Sequence, residues 1–277
     1  MPDPLTGVRM VTLAVNLPGP LAAARLASLG ADVTKVEPPH GDPLATASPS
    51  WYKQLTADQR VIVLDLKSSS ERAALDAELV QADLLVTAMR PSALRRLRLD
   101  RDLPTQLSHI EIVGHDGALE EQPGHDLTYQ ATCGTLQPPR MPTAPIVDML
   151  GAERAVSAAL ASLLETARTG VGRRHRVALE DAAKFAGAAV RHGLMGGPHT
   201  MLGGGLPTYG IYAAADGFVA LGAIEPHFRD RLLDVLGVGD THADIAHALA
   251  GRTTAEWVAL AQQADIPLAP VTASSSC

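Results

Sequence analysis

Three short stretches of the chain carry side chains that could move protons or grip an anion. His125 follows Pro123-Gly124 and precedes Asp126 and Tyr129, a glycine-led loop that exposes an imidazole at a helix start. An imidazole so placed is either an ordinary loop histidine or a group that takes and returns a proton. Asp148 stands in Pro145-Ile146-Val147-Asp148-Met149-Leu150-Gly151, with apolar neighbours just ahead of a long helix. It reads as an N-cap, or as a partly buried carboxylate whose shifted pKa suits a base or nucleophile. The third stretch is the basic cluster Arg90, Arg95, Arg96, Arg98 and Arg101. Such a run is a solvated helix face or, together with Arg60 or Lys67, a grip on phosphates, for which a guanidinium offers paired donors. Arg90 is the best placed of these, directly after a predicted strand.

Other chemistries lack their residues. The ten histidines are scattered, and none sits in a His-Glu-x-x-His pattern, so a zinc hydrolase is not expected. Cys133 and Cys277 cannot make a metal framework by spacing. Glu37 lies where a ribose-binding acid would lie, but the first strand-to-helix turn is Pro18-Gly19-Pro20 and lacks the glycine fingerprint of dinucleotide folds. No metal and no bound cofactor is therefore expected.

The elements that must position these residues are readable from hydrophobic periodicity. Strands are predicted over 8–15, 32–37, 61–66, 84–86, 107–114 and 176–179, and helices over 21–29, 68–82 and 152–168. Ser68-x-x-Glu71 reads as a capping box. Strands alternating with helices imply an α/β fold with a Rossmann-like parallel sheet. The Gly-, Pro- and His-rich stretch 192–208 reads as a linker, followed by a strand pair over 211–224 and a mainly helical segment over 228–264. A large α/β domain over 1–191 and a smaller α+β domain over 192–277 are expected.

The 277 residues are 46% hydrophobic but only 3% aromatic, so Ala, Leu and Val make the core and stacking platforms for single-stranded nucleic acid are not expected. A net charge of -7 argues against nucleic acid or anionic membrane as the global partner, while leaving room for a small anion held locally. No apolar run approaches a membrane span and no signal-like start is seen, so a cytoplasmic, unprocessed protein is expected.

Leu5-Thr6-Gly7-Val8-Arg9, Pro18-Gly19-Pro20, Leu29-Gly30-Ala31-Asp32-Val33, Lys35-Val36-Glu37-Pro38-Pro39 with Gly41-Asp42-Pro43, Arg90-Pro91 and Arg168-Thr169-Gly170 together resemble family III CoA-transferases, the CaiB/BaiF family. Gly124-His125-Asp126-Leu127-Thr128-Tyr129 and Leu221-Gly222-Ala223-Ile224-Glu225-Pro226-His227-Phe228 are similar to the α-methylacyl-CoA racemase branch. The resemblance implies a CoA-thioester enzyme that epimerises 2-methylacyl-CoA, with His125 and Asp148 as acid–base groups and Glu225 supporting the histidine. The Asp126 amide would stabilise the enolate, and Arg60, Lys67, Arg90 and Tyr129 would contact substrate. Two alternatives follow from the same resemblance: a CoA-transferase using Asp148 as nucleophile, and a non-catalytic CoA-binding subunit in a heteromer with a full-length homologue.

The resemblance also implies an interlocked homodimer. Three stretches depart from the family pattern. Met149-Leu150-Gly151-Ala152-Glu153 replaces a glycine run, which predicts a narrower acyl pocket. Asp58, Gln59 and Arg60 replace the usual Asn and Lys, and only residues 272–277 follow Ala269-Pro270-Val271, which predicts a small domain without its return segment.

Overall fold

The computed structural model describes residues 3–272, so Cys277 and most of the last segment lie outside the described residues. The chain divides into two compact units, Met1–Gly187 and Ala188–Cys277.

The first unit alternates strands and helices in chain order. It runs β1 (Arg9–Thr12), α1 (Pro18–Ser28), β2 (Asp32–Glu37), α2 (Pro43–Ala47), α3 (Pro49–Leu55), β3 (Gln59–Val63) and α4 (Ser69–Val80). It continues with β4 (Leu84–Thr87), α5 (Pro91–Arg96), β5 (Ser108–Val113), α6 (Asp126–Cys133), α7 (Ile146–Thr169), β6 (Arg174–Ala178) and α8 (Leu179–Ala186). The six strands form one sheet in the order β3-β2-β1-β4-β5-β6, and each neighbouring pair is parallel. Chain order reverses between β1 and β4, and the crevice beyond the carboxyl ends of those two strands is where such sheets bind ligands.

Both faces of the sheet are covered, so its central strands are apolar on both sides. Met10, Val33, Leu84, Val86 and Ile110 pack toward the helices that carry Ala22, Leu26, Ala155 and Ala159. Val11, Leu13, Val36 and Leu85 pack on the other side with Leu75, Leu79 and Leu94. Alanines on α1 and α7 let these helices approach closely, which is how a core with few aromatic side chains reaches dense packing.

Several element boundaries differ from the sequence reading. β3 and β6 each begin two residues earlier than expected, and Pro43–Ala47 and Pro49–Leu55 are helices that proline at the first helical position permits. Ser68 does precede α4, but the reciprocal capping box does not form: Glu71 accepts instead from the Asp65 N–H at 2.6 Å. α7 begins at Ile146 rather than 152, and that shift bears on Asp148.

The second unit holds α9 (Ala188–Arg191), β7 (Tyr209–Ala213), β8 (Phe218–Gly222), α10 (Pro226–Leu236), α11 (His242–Leu249), α12 (Thr254–Ala264) and β9 (Leu268–Pro270). β7, β8 and β9 form an antiparallel sheet. Tyr212, Val219 and Leu221 on one face pack with Leu232, Ile245, Leu249 and Trp257 of the three long helices. The strand pair expected over 211–224 is this β7–β8 hairpin, closed by the Ala214 N–H donating to the Gly217 carbonyl at 2.9 Å.

Candidate active site

Asp148 is the third residue of α7, not its cap. The residue at the cap position is Pro145, which offers no side-chain acceptor. The free N–H groups of this helix start are satisfied from another element: the Asp126 Oδ1 accepts from the Val147 N–H at 2.8 Å and from the Asp148 N–H at 3.1 Å. The Asp148 side chain is thereby left for other work. Burial, and secondly the nearby Asp126 carboxylate, push its pKa up to about 6.

His125 is the N-cap of α6, and its backbone N–H donates to the Thr128 Oγ1 at 3.0 Å. Its imidazole is exposed, as the glycine-led loop predicts. One turn on, Tyr129 is only 3% exposed and stands edge-on to His115, with ring centroids 5.3 Å apart. A Cβ on Gly124 would lie 2.3 Å from the Tyr129 Oη and 2.4 Å from its Cζ, so the absence of a side chain at 124 is what admits the ring. Burial, then the charges of Asp148 and Glu180, raise the Tyr129 pKa, and Arg90 opposes them.

His125, Asp148, Tyr129 and Arg90 line one cleft of about 270 Å³ together with Asn16 and Glu120. Val15 after β1 and Met89 after β4 are in its wall, so the cleft lies at the point where the strand order reverses. A second, larger cleft of about 650 Å³ shares Val15, Ala88 and Met89 with the first. Leu13, Val36, Leu64 and Leu66 make it apolar, and Lys67, Arg96 and His40 contribute basic groups.

A buried ionic knot braces the wall between them. Lys35 is fully buried, and its Nζ donates to the Asp42 Oδ2 at 2.8 Å and the Ala14 carbonyl at 3.0 Å, with Glu37 at 3.5 Å. The other Asp42 oxygen accepts from the Asn16 N–H at 3.0 Å and the Leu44 N–H at 2.9 Å. Asn16 has a left-handed φ of 70°, which this hydrogen bond helps to hold.

One expected contact residue lies apart from both clefts. Arg60 lies near the start of β3, in parallel register with Thr34, and donates to Thr34 and Glu78. Those residues surround a separate small cavity with Arg9 and Asp32 at the amino ends of the strands, the end opposite the two clefts. In a parallel sheet a strand's first residues cannot reach the ligand crevice at its last. Glu225 precedes α10 in the second unit with an exposed side chain. Met149 and Leu150, in the stretch expected to narrow the pocket, are not among the residues lining the first cleft.

Of the basic cluster Arg96 joins the second cleft as Arg90 joins the first, and His40, Asn16 and Glu120 join the clefts without having been singled out. The signal available for Asn16 and His40 was their place after strands β1 and β2, beside the reversal in strand order. The other buried ionisable cluster stands apart: His109 and Glu111 on β5 face Arg174 and Arg176 of the edge strand. Burial, then Arg174, lower the His109 pKa to about 3, so this imidazole stays neutral. Among the described residues, no helix is long and apolar enough to cross a membrane, and no group of three His, Cys, Asp or Glu side chains could hold a metal ion.

A doubly wound α/β unit with a cleft holding His125 and Asp148 at its switch point, followed by a small α+β unit, is the class of molecule in hand. A sequence model of CoA-transferase family III matches residues 5–277, and the chain belongs to that family. It is 31% identical over 279 residues to the succinate–glutarate CoA-transferase of Agrobacterium fabrum, covering 88% of this chain and 69% of that one. To the alpha-methylacyl-CoA racemase of Homo sapiens it is 27% identical over 302 residues, covering 96% of this chain and 77% of the relative. The crystal structure of a hypothetical protein from Mycobacterium tuberculosis shares the fold with a TM-score of 0.83 at 24% identity, over 99% of this chain and 87% of that one.

Proposed function

We propose that the chain epimerises 2-methylacyl-CoA thioesters, with His125 and Asp148 as the two acid–base groups. The observation that carries this reading is that both side chains line one cleft, where Asp148, with a pKa of about 6, populates both protonation states near neutrality. Inverting the α-carbon requires a base on one face and a proton donor on the other. One group takes the α-proton, the C–H electron pair delocalises onto the thioester oxygen, and the other group delivers its proton to the opposite face. The proton has then changed sides within the pair, and exchange with solvent restores the starting state.

The enolate oxygen is served by backbone N–H groups at the first turn of α6, the Asp126 amide foremost, a donor worth roughly 3 kcal/mol in the transition state. Arg90 supplies the positive charge of the same cleft. The larger neighbouring cleft suits the nucleotide end of CoA, with an apolar wall and with Lys67 and Arg96 for its phosphates.

A second reading is CoA transfer between carboxylic acids. The 31% identity to a succinate–glutarate CoA-transferase favours it. Here the ionised Asp148 attacks the thioester carbonyl and expels CoA thiolate, leaving an acyl anhydride that the thiolate reopens to give an aspartyl thioester and a free acid. An acceptor carboxylate then takes CoA by the same two steps in reverse.

The two readings separate on single variants. Under epimerisation, His125→Ala and Asp148→Ala each lose epimer interconversion by about a hundredfold or more, yet each keeps α-proton exchange on the one epimer facing the remaining base. Under transfer, Asp148→Ala abolishes CoA exchange while His125→Ala retains it. Normal epimerisation by both variants overturns the proposal.

A further inference from the structure

We propose that Asp126 is a positioning residue whose side chain joins the two halves of the acid–base pair, fixing where Asp148 stands and what charge it faces. The inference rests on the acid–base reading above and deepens it. Asp126 is the residue after His125 and the first of α6, so its backbone moves with the histidine. Its Oδ1 holds the N–H groups of Val147 and Asp148 at 2.8 and 3.1 Å, at a helix start whose own cap residue is a proline. Its Oδ2 accepts from the Gln130 Nε2 at 2.6 Å. Gln130 is 2% exposed; it also donates to the Ala144 carbonyl at 3.1 Å, on the segment leading into α7, and its Oε1 accepts from Thr135 at 3.2 Å.

Two consequences follow. A carboxylate that loses these bonds frees the start of α7, and Asp148 with it, while the rest of the helix stays packed through Ala152, Ala155 and Ala159. Displacement of about 1 Å between reacting groups is enough to cost two orders of magnitude in rate. The second consequence is electrostatic. The groups that share the cleft with Asp148 are Arg90, Glu120, His125 and Tyr129, with Glu180 at the start of α8 nearby and the start of α1 contributing no ionisable side chain. Asp126 is the neighbouring charge that disfavours the ionised form of Asp148, second to burial.

The test is Asp126→Asn, whose amide oxygen can still cap α7 but carries no charge, with Asp126→Ser as a second uncharged variant that keeps a capping hydroxyl. Aspartate carboxyl carbons are labelled with 13C, the Asp148 signal is assigned by its loss in Asp148→Asn, and its titration is followed without substrate. We expect the Asp148 midpoint to fall from about 6 in both variants while staying above the ordinary carboxylate value, because burial persists. Where turnover is measurable, the acid limb of its pH profile moves down with that midpoint, and the rate at neutral pH drops about tenfold or more. A merely structural cap would lower turnover at every pH and leave the midpoint in place, and an unmoved midpoint in either folded variant overturns the proposal. Because the titration needs no turnover, it decides this point whether or not the epimerase reading survives.

Discussion

Asp148 combines a role with a cost. Its folded-state pKa of about 6 exceeds that of an unfolded aspartate, so the folded protein holds this proton more tightly. The contribution to stability is complete below about pH 4, where both states are protonated, and is lost as pH rises through about 6. Asp148→Asn is therefore expected to raise stability at pH 8 by about 2 kcal/mol, with the gain vanishing near pH 4, in urea unfolding at the two pH values. A gain that is equal at both pH values contradicts the assignment. At this scale the sequence was informative where the chemistry is local. His125, Asp148 and Arg90 each stood out by neighbours within a few positions, Asp126 and Tyr129 entered through the family resemblance, and His125, Tyr129, Asp148 and Arg90 line one cleft. Lys35 was illegible as a core residue because a charged side chain in a short strand reads as outward-facing. It is buried with Glu37, two residues along the same strand, and with Asp42, which the loop after β2 brings to it.

Elements decide which of these residues can meet. The order of the strands puts the ends of β1 and β4 side by side, and that order cannot be read from periodicity, which reports each strand alone. Arg60 shows the consequence: it lies near the amino end of its strand, apart from the two clefts. α7 starts six residues before the expected 152: proline is compatible with a helix start, and Gly151, inside the helix, is where the Leu179 side chain packs, 2.3 Å from a hypothetical Cβ. Gly124 has a similar purpose against Tyr129. Gly124→Ala is expected to destabilise the first unit by about 1–3 kcal/mol by pushing the ring out of place, and Tyr129→Ala in the same chain should remove most of that added cost. Additive effects in a double-mutant cycle of urea unfolding would show that the ring is not what the glycine accommodates.

Over the whole molecule, a net charge of -7 coexists with a group of cations at the carboxyl ends of the strands. Binding of a polyanionic ligand then depends on where charges stand, not on their sum. Arg96→Ala is expected to weaken CoA binding about tenfold in calorimetry at low salt, whereas Arg60→Ala, on the opposite end of the strands, should leave it unchanged. The reverse pattern would place the nucleotide elsewhere. The fold class followed from alternation of elements, and the family from motifs spread along the chain. The choice between epimerisation and transfer depends on which bond the cleft breaks. The most direct measurement is incubation of the protein with one epimer of a 2-methylacyl-CoA in deuterated water, with and without a free carboxylic acid. The account predicts deuterium at the α-carbon and appearance of the other epimer without any acceptor acid. Exchange of CoA onto the added acid, with the α-hydrogen retained, would contradict it.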